Sequence, residues 1–418
     1  MSSFIVKKSP PLSGSIKING SKNSALPIIA SSILTDEECI LENVPPLSDV
    51  KIMLKILEDI GKTVKFDEEK HIVKISGEIL PDYEIDAEKS SKIRASFMFA
   101  GPILARTGNA RIPFPGGCSI GLRPVDLHLK GFSLMGAEIS TGHGMTVIKS
   151  SGLSGSFIYL DFPSVGATEN IIMAAALAKG TTVIENAAEE PEISDLCAFI
   201  NKMGGCVKGS GTKNIVIKGV KKLHGASHSI IPDRIEAGTF MAAAAVTGGK
   251  ITLENIVPQH LQPIVFKLRE AGMNIEGFKN KMTAEASEEI FPFNLKTMPF
   301  PGFPTDMQSM MMSLMSVAKG TSIITETIFE NRFMNALELK KMGADIRIES
   351  RCAIINGVKN LTGTSVKACD LRSGAALIVS ALAAEGETEI TDIYHIERGY
   401  FEIDKRLGSL GALIKKIP

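Results

Sequence analysis

Residues 111–127 hold a thiol and a guanidinium in a stretch that cannot form a regular element. Pro113, Pro115, Gly116, Gly117 and Gly121 interrupt it, Cys118 sits at its middle, and Arg123 is pinned by Pro124. A thiol in such a place can donate a proton or attack a carbon, and neighbouring cations make it more reactive. By itself the stretch reads equally as a glycine-rich surface turn. Charged and polar residues elsewhere shift that balance. Lys22-Asn23, Arg94, Ser164-Val165-Gly166, Glu236, Asp306 and Arg372 each stand where an apolar, helix-patterned run begins. Loops further along carry Glu330 with Arg332, and His395 with Glu397 and Arg398. Cations gathered at helix starts, beside a few carboxylates and one thiol, suit acid–base chemistry on a strongly anionic substrate.

The elements that must position these residues form a repeat. A glycine closing an amphipathic helix recurs at Gly61, Gly136, Gly204, Gly272, Gly343 and Gly411, a period of about 70 residues. Before each glycine comes the same order of parts. The third copy shows it best: an Ala-rich run from Gly166 to Gly180, a strand Thr181–Glu185, a loop, and a helix ending at Met203-Gly204. The first helix of each copy is apolar nearly all round, which predicts burial, and the second is amphipathic. The strands are short and β-branched. The expected fold is therefore α/β, built from six βαβαββ-type repeats with buried helices and outer sheets. Six repeats divide into two domains of three, at residues 22–229 and at residues 1–21 plus 230–418. Residues 2–19 have no strand partner in their own repeat and are expected to complete the C-terminal half. A one-dimensional solenoid is the alternative, but it needs polar end caps that this chain lacks.

Parallel buried helices would emerge at one end of each domain, each bringing unpaired N–H groups and about half a positive charge. Two such ends facing each other would make an anion-binding cleft. The stretch holding Cys118 is then an ordinary strand-to-helix loop of the repeat, lengthened and filled with glycine, as a lid would be. No Gly-x-x-x-x-Gly-Lys-Ser/Thr and no Gly-x-Gly-x-x-Gly after a strand is present, so a nucleotide is not held in those ways.

Composition narrows the field. The chain has 418 residues, with 46 basic and 46 acidic side chains, so no global field favours nucleic acid or an anionic membrane. No apolar run approaches the roughly 18 residues of a membrane span, and the N-terminal segment lacks an apolar signal core. None of the six cysteines forms a CxxC pair. His224 and His228 are four apart but in a Gly-Ala-Ser turn, so no metal site is expected. A cytoplasmic protein with reduced thiols is the expectation. Cys39, Cys197, Cys206, Cys352 and Cys369 fall on helix or strand patterns and read as packing thiols, and Met307–Met315 reads as soft core.

Six motifs in order complete the picture: Ser21-Lys-Asn-Ser-Ala-Leu-Pro27, Gly116-Gly-Cys-Ser-Ile-Gly-Leu-Arg-Pro-Val-Asp126, Asp161-Phe-Pro-Ser-Val-Gly-Ala-Thr-Glu-Asn170, Phe303-Pro-Thr-Asp306, Glu330-Asn-Arg-Phe-Met334 and Ile393-Tyr-His-Ile-Glu-Arg-Gly399. Across the whole chain this resembles the UDP-N-acetylglucosamine enolpyruvyl transferases. The resemblance implies a two-domain inside-out α/β barrel and transfer of the enolpyruvyl group of phosphoenolpyruvate to the 3-hydroxyl of UDP-N-acetylglucosamine. That is the first committed step of bacterial peptidoglycan synthesis, and it needs no metal or other cofactor. It implies that Lys22, Asn23, Arg123 and Arg398 hold phosphoenolpyruvate. It implies that Arg94, the run Arg123, Pro124, Val125, Asp126 and Leu127, and Ser164, Val165 and Ile328 line the sugar-nucleotide site. Asp306 would be the base, Arg372 a cleft cation, and Cys118 the lid thiol. That thiol would serve as general acid or in product release, would form a covalent adduct with the enolpyruvyl group, and would be alkylated by fosfomycin. The resemblance departs at Phe162, where many relatives carry a basic residue, so a diphosphate contact there is not implied. The sister enzyme 5-enolpyruvylshikimate-3-phosphate synthase shares the donor, but its first motif is Asp-Lys-Ser-like and it has no lid cysteine. A catalytically inactive sugar-nucleotide sensor is a further alternative, against which stands the intact set of Lys22, Cys118, Arg123, Asp306 and Arg398.

Overall fold

The computed structural model describes residues 2–81, 83, 85–114, 116 and 124–418. It is a mixed α/β fold in which the described residues form two compact units, one of residues 20–231 and one joining residues 2–19 to 232–418. Among the described residues there are six separate sheets.

The repeat appears as a sheet plan. In residues 157–218 the strand Phe157–Tyr159 pairs parallel with Thr181–Glu185, which pairs antiparallel with Asn214–Lys218, which pairs with Val207–Lys208. The helix Val165–Ala175 crosses between the two parallel strands, and Pro191–Lys202 leads into the hairpin. The same order recurs with Leu295–Lys296, Thr321–Thr325, Cys352–Asn356 and Asp345–Glu349. In the second repeat the described residues supply a three-stranded version, Asn109–Pro113, Met145–Lys149 and Glu138–Gly142.

Two strands are exchanged where the chain passes from one unit to the other. Ser13–Lys17 precedes the helix Lys22–Ser31, yet it pairs with Lys250–Glu254. Ser227–Ser229 precedes the helix Arg234–Val246, yet it pairs with Cys39–Glu42. Ser3–Lys7 lies between Glu387–Thr391 and Ile414–Ile417, in the place that a hairpin's second strand takes in the other sheets. The N-terminal segment is thus the missing end of the sixth repeat.

The helices behave as their composition dictates. All residues of Gln308–Met315 are buried, including Met310, Met311 and Met312. This helix packs on Leu371–Ala383, and both pack on Arg234–Val246. Small residues allow that approach. The second helix of each repeat ends on a glycine at positive φ, from 89° at Gly343 to 107° at Gly61, a conformation that a side chain resists. Among the described residues no helix is long and apolar enough to cross a membrane.

Gly101 shows how tight the helix contacts are. It is the second residue of Ala100–Thr107, beside Val165–Ala175, and its amide donates to Asn170 Oδ1 at 2.7 Å. A Cβ added there would lie 2.3 Å from the Asn170 carbonyl oxygen, which is backbone and cannot swing away. Gly101→Ala is expected to destabilise the chain by about 1–3 kcal/mol. A lower urea midpoint at unchanged slope would show it, and an unchanged midpoint would count against this packing.

Candidate active site

In the unit of residues 2–19 and 232–418, chemistry gathers at Asp306. Pro304 leads into a short turn, Thr305–Met307, that opens the buried helix Gln308–Met315. Arg332 Nη2 donates to Asp306 Oδ1 at 3.0 Å. Arg372 grips the other oxygen side-on, Nε at 3.2 Å and Nη2 at 2.9 Å from Oδ2. Both guanidiniums are buried, while the Asp306 side chain is 27% exposed. The carboxylate therefore faces outward with two cations behind it. Burial works against the charge on Arg372, but Asp306, Tyr400 and Asp233 hold its pKa above the ordinary arginine value.

Arg372 owes its place to the start of its helix. Asp370 caps Leu371–Ala383 by accepting from the Arg372 and Ser373 amides at 2.8 and 3.1 Å, and Ser373 Oγ accepts from the Asp370 amide in return. Ile328 and the Asp306 turn share a second anchor. The buried Glu326 carboxylate accepts from Thr305 Oγ1, Thr297 Oγ1 and the Ile328 amide, each at 2.8 Å, and from the Phe329 amide at 3.2 Å. Arg398 follows the short helix Tyr394–Glu397 and is half-buried. Burial first, and then the charge of Arg398, lowers the pKa of His395.

The other unit carries its own constellation at the start of Lys22–Ser31. Ser21 caps that helix by accepting from the Ser24 amide. Lys22 is buried, and its Nζ lies 3.2 Å from Asp49 Oδ2; the two side chains are 10% and 4% exposed. Asn23 beside it is half-buried. Ser24 Oγ donates to Asp195 Oδ2 at 2.5 Å, and the same carboxylate accepts from the Ile231 amide at 3.2 Å and pairs with His228 Nε2 at 2.7 Å. One buried carboxylate thus fastens the helix start to Pro191–Lys202 and to the strand Ser227–Ser229.

Arg94 opens the turn Arg94–Phe99, and its Nη2 donates to the Pro124 carbonyl at 3.1 Å. This joins it to the run 124–127, where Pro124 and Asp126 are exposed and Val125 and Leu127 half-buried. Ser164 caps Val165–Ala175 by accepting from the Ala167 amide at 3.3 Å. Val165 is the first residue of that helix, whose leading N–H groups suit an anion. Phe162 is exposed, and beside it Lys130 pairs with Asp161 at 2.6 Å, a hydrogen bond that lowers the Asp161 pKa.

Cys118 and Arg123 lie outside the described residues. Of the other cysteines, Cys39 and Cys197 are buried, while Cys206, Cys352 and Cys369 are half-buried. Burial raises the pKa of Cys39 and Cys369 and, with Glu169 nearby, pushes Cys197 up to about 12. These three stay thiols at neutral pH. Among the described residues no group of three His, Cys, Asp or Glu side chains could hold a metal ion.

The structure joins Asp306 to Arg372, and Arg94 to Pro124. It adds Asp49, Glu326 and Tyr400, which sequence reasoning passed over, and it makes the loop cation Arg332 a partner of Asp306. Ser48-Asp49 after Pro45-Pro46 is a helix-start pattern that could have drawn notice. Glu326 directly follows the strand Thr321–Thr325, and Tyr400 sits beside Phe401 as one of two adjacent aromatics, so neither stands out.

Comparison with known proteins fits this arrangement. Residues 6–407 match the family model of EPSP synthase (3-phosphoshikimate 1-carboxyvinyltransferase). A UDP-N-acetylglucosamine 1-carboxyvinyltransferase 1 of Caldanaerobacter subterraneus subsp. tengcongensis is 55% identical, over 98% of each chain. A UDP-N-acetylglucosamine 1-carboxyvinyltransferase of Finegoldia magna is 53% identical, over 99% of this chain and 98% of its own. Among solved structures, the enolpyruvyl transferase NikO from Streptomyces tendae superposes with a TM-score of 0.90 at 23% identity, over 100% of this chain and 99% of its own. EPSP synthase from Acinetobacter baumannii does so at 0.76 and 18%, over the whole of both chains. Near-complete coverage at such identity leaves one family: the chain is an enolpyruvyl transferase, of the branch that holds the UDP-N-acetylglucosamine 1-carboxyvinyltransferases.

Proposed function

We propose that this chain transfers the enolpyruvyl group of phosphoenolpyruvate to the 3-hydroxyl of UDP-N-acetylglucosamine and releases phosphate, the first committed step of peptidoglycan synthesis. The observation that carries this reading is the 50–55% identity, along nearly the whole chain, to relatives with that printed name. EPSP synthases share the fold at 18% identity only. This reading includes two domains, 22–229 and 1–21 plus 230–418, each an inside-out barrel of three repeats with its apolar helices enclosed by sheets. The enzyme works in the cytoplasm, a location that the free cysteines among its described residues suit.

In this reaction a bond forms between the sugar 3-oxygen and C2 of phosphoenolpyruvate while C3 takes up a proton. Phosphate then leaves from the tetrahedral intermediate and C3 gives a proton back. Acid and base must act on different partners. Asp306 takes the proton from the 3-hydroxyl. Its oxygens accept from two guanidiniums, one donor on Oδ1 and two on Oδ2, which holds the carboxylate charged and fixed in place as a base. The alcohol becomes acidic as its oxygen bonds to carbon, so a well-placed carboxylate suffices. Lys22, Asn23, Arg123 and Arg398 bind the phosphate and carboxylate of phosphoenolpyruvate. Arg94, residues 123–127, Ser164, Val165 and Ile328 bind the sugar nucleotide, and Arg372 adds fixed positive charge. Cys118 acts as general acid or in product release, can carry the enolpyruvyl group as a covalent adduct, and is the residue that fosfomycin would alkylate.

The purified chain is expected to release inorganic phosphate only when given both phosphoenolpyruvate and UDP-N-acetylglucosamine. Phosphate release with shikimate-3-phosphate in place of the sugar nucleotide would assign it to the other branch. No release with either acceptor would favour a binding protein.

A further inference from the structure

Behind Arg372 lies a hydrogen-bonded chain that the reaction does not require by its chemistry. Arg372 Nη1 donates to Tyr400 Oη at 3.2 Å. Tyr400 Oη lies 2.8 Å from Thr239 Oγ1, and Thr239 Oγ1 lies 2.8 Å from the carbonyl of Ile235. All three side chains are buried, at 2–3% exposure.

The directions of these bonds follow by elimination. A carbonyl only accepts, so the single hydroxyl proton of Thr239 points at Ile235. Thr239 must then accept from Tyr400, whose one proton is spent there. Tyr400 therefore presents only lone pairs to Arg372, whose N–H groups only donate. The chain has one polarity, from Arg372 through Tyr400 and Thr239 to the backbone of Arg234–Val246. Burial raises the pKa of the Tyr400 phenol, which keeps its proton in place.

Among the described residues, the other hydrogen bonds of the Arg372 guanidinium go to Asp306, from Nε and Nη2. A guanidinium is a rigid planar fork, so fixing Nη1 fixes the plane that Nε and Nη2 share. We propose that Tyr400, anchored by Thr239, is a positioning residue for the reaction: it sets the plane of Arg372 and through it the orientation of the Asp306 carboxylate. This rests on Asp306 being the base. Without the phenol oxygen, Arg372 keeps its charge and its burial but can pivot about Asp306 Oδ2, and the Asp306 carboxylate that takes the 3-hydroxyl proton turns with it. A misplacement of that kind affects the chemical step more than binding.

The test uses the full chain in four single variants and one double. Tyr400→Phe, which loses one hydrogen bond to a charged group, and Thr239→Val, which unfastens the phenol that makes it, are each expected to lower kcat by up to about tenfold, with KM for both substrates within about twofold. The double variant should lose no more than the worse single, because both break one chain. Thr239→Ser keeps the hydroxyl and should keep the wild-type kcat. Packing alone would not distinguish serine from valine in favour of the smaller side chain. A wild-type kcat in folded Tyr400→Phe, or losses that multiply in the double variant, or a Thr239→Ser as slow as Thr239→Val, would overturn the proposal. Asp306→Asn separates it from the reading beneath it. If that variant turns over normally, Asp306 is not the base; if it is inactive while Tyr400→Phe is unimpaired, only the positioning role fails.

Discussion

Asp306→Asn is expected to lower kcat by about 10²–10⁴-fold, the usual contribution of a positioned acid or base. The variant retains the shape of the side chain but not its function. An amide has one acceptor oxygen and one NH2 group, so it can satisfy either Arg332 or Arg372, and its NH2 then faces the other guanidinium. Both arginines are buried, so the uncompensated charge should also cost stability. Removing one partner of a buried ion pair costs about 3–5 kcal/mol, and because Asp306 is 27% exposed the lower end applies. The decisive readout is the split between kcat and KM. Loss of the base should collapse kcat while leaving KM for UDP-N-acetylglucosamine within a few fold. A kcat within tenfold of wild type, measured at a temperature where the variant is folded, would mean that Asp306 only neutralises its arginines.

The helix starts were legible because the repeat forces them into one phase. A charged residue at one buried helix start proves little, whereas Lys22, Arg94, Asp306 and Arg372 at matching positions have a common cause. The glycines after the amphipathic helices were legible for a similar reason, since a left-handed cap has few substitutes. The N-terminal strands could be assigned to the C-terminal half because they lacked partners nearby. Which strands Ser13–Lys17 and Ser227–Ser229 pair with inside those halves was not legible, since both read alike as short polar-edged strands. The buried carboxylates were the other gap. Asp195 occupies what looks like the polar side of an amphipathic helix, and Glu326 follows the end of a strand, where solvent is the default. Their burial depends on donors brought from distant segments, Ser24, His228 and Ile231 for one and Thr297 and Thr305 for the other. Hydrophobic periodicity reports which face is apolar. It carries no record of a carboxylate fully supplied with hydrogen bonds, which can be buried without violating the pattern's energetics.

The Lys22–Asp49 pair permits a sharper separation of structure from function than Asp306 does. Its side chains are nearly enclosed, so Lys22→Met removes the lysine charge from beside the Asp49 carboxylate in the interior. A destabilisation of about 3–5 kcal/mol is expected from that alone. Turnover should fall as well, by about 10²–10³-fold, the typical loss on removing one fixed donor from a developing negative charge. The two losses can be uncoupled. In the double variant Lys22→Met with Asp49→Leu both members of the pair are apolar, and replacing a buried ion pair by apolar side chains is often neutral or better for stability. The double variant should therefore regain most of the lost melting temperature and none of the lost turnover. Its KM for phosphoenolpyruvate should remain raised, because the cation that meets the phosphate or carboxylate is still missing. Lys22→Arg keeps the charge but changes its shape and reach, and should fall between wild type and Lys22→Met. If the double variant recovers turnover along with stability, Lys22 serves the fold and not the substrate. If stability returns alone, the lysine at the first buried helix start binds phosphoenolpyruvate, and Asp49 holds it ready at a cost that the rest of the helix start, capped by Ser21 and fastened through Ser24 to Asp195, is built to bear.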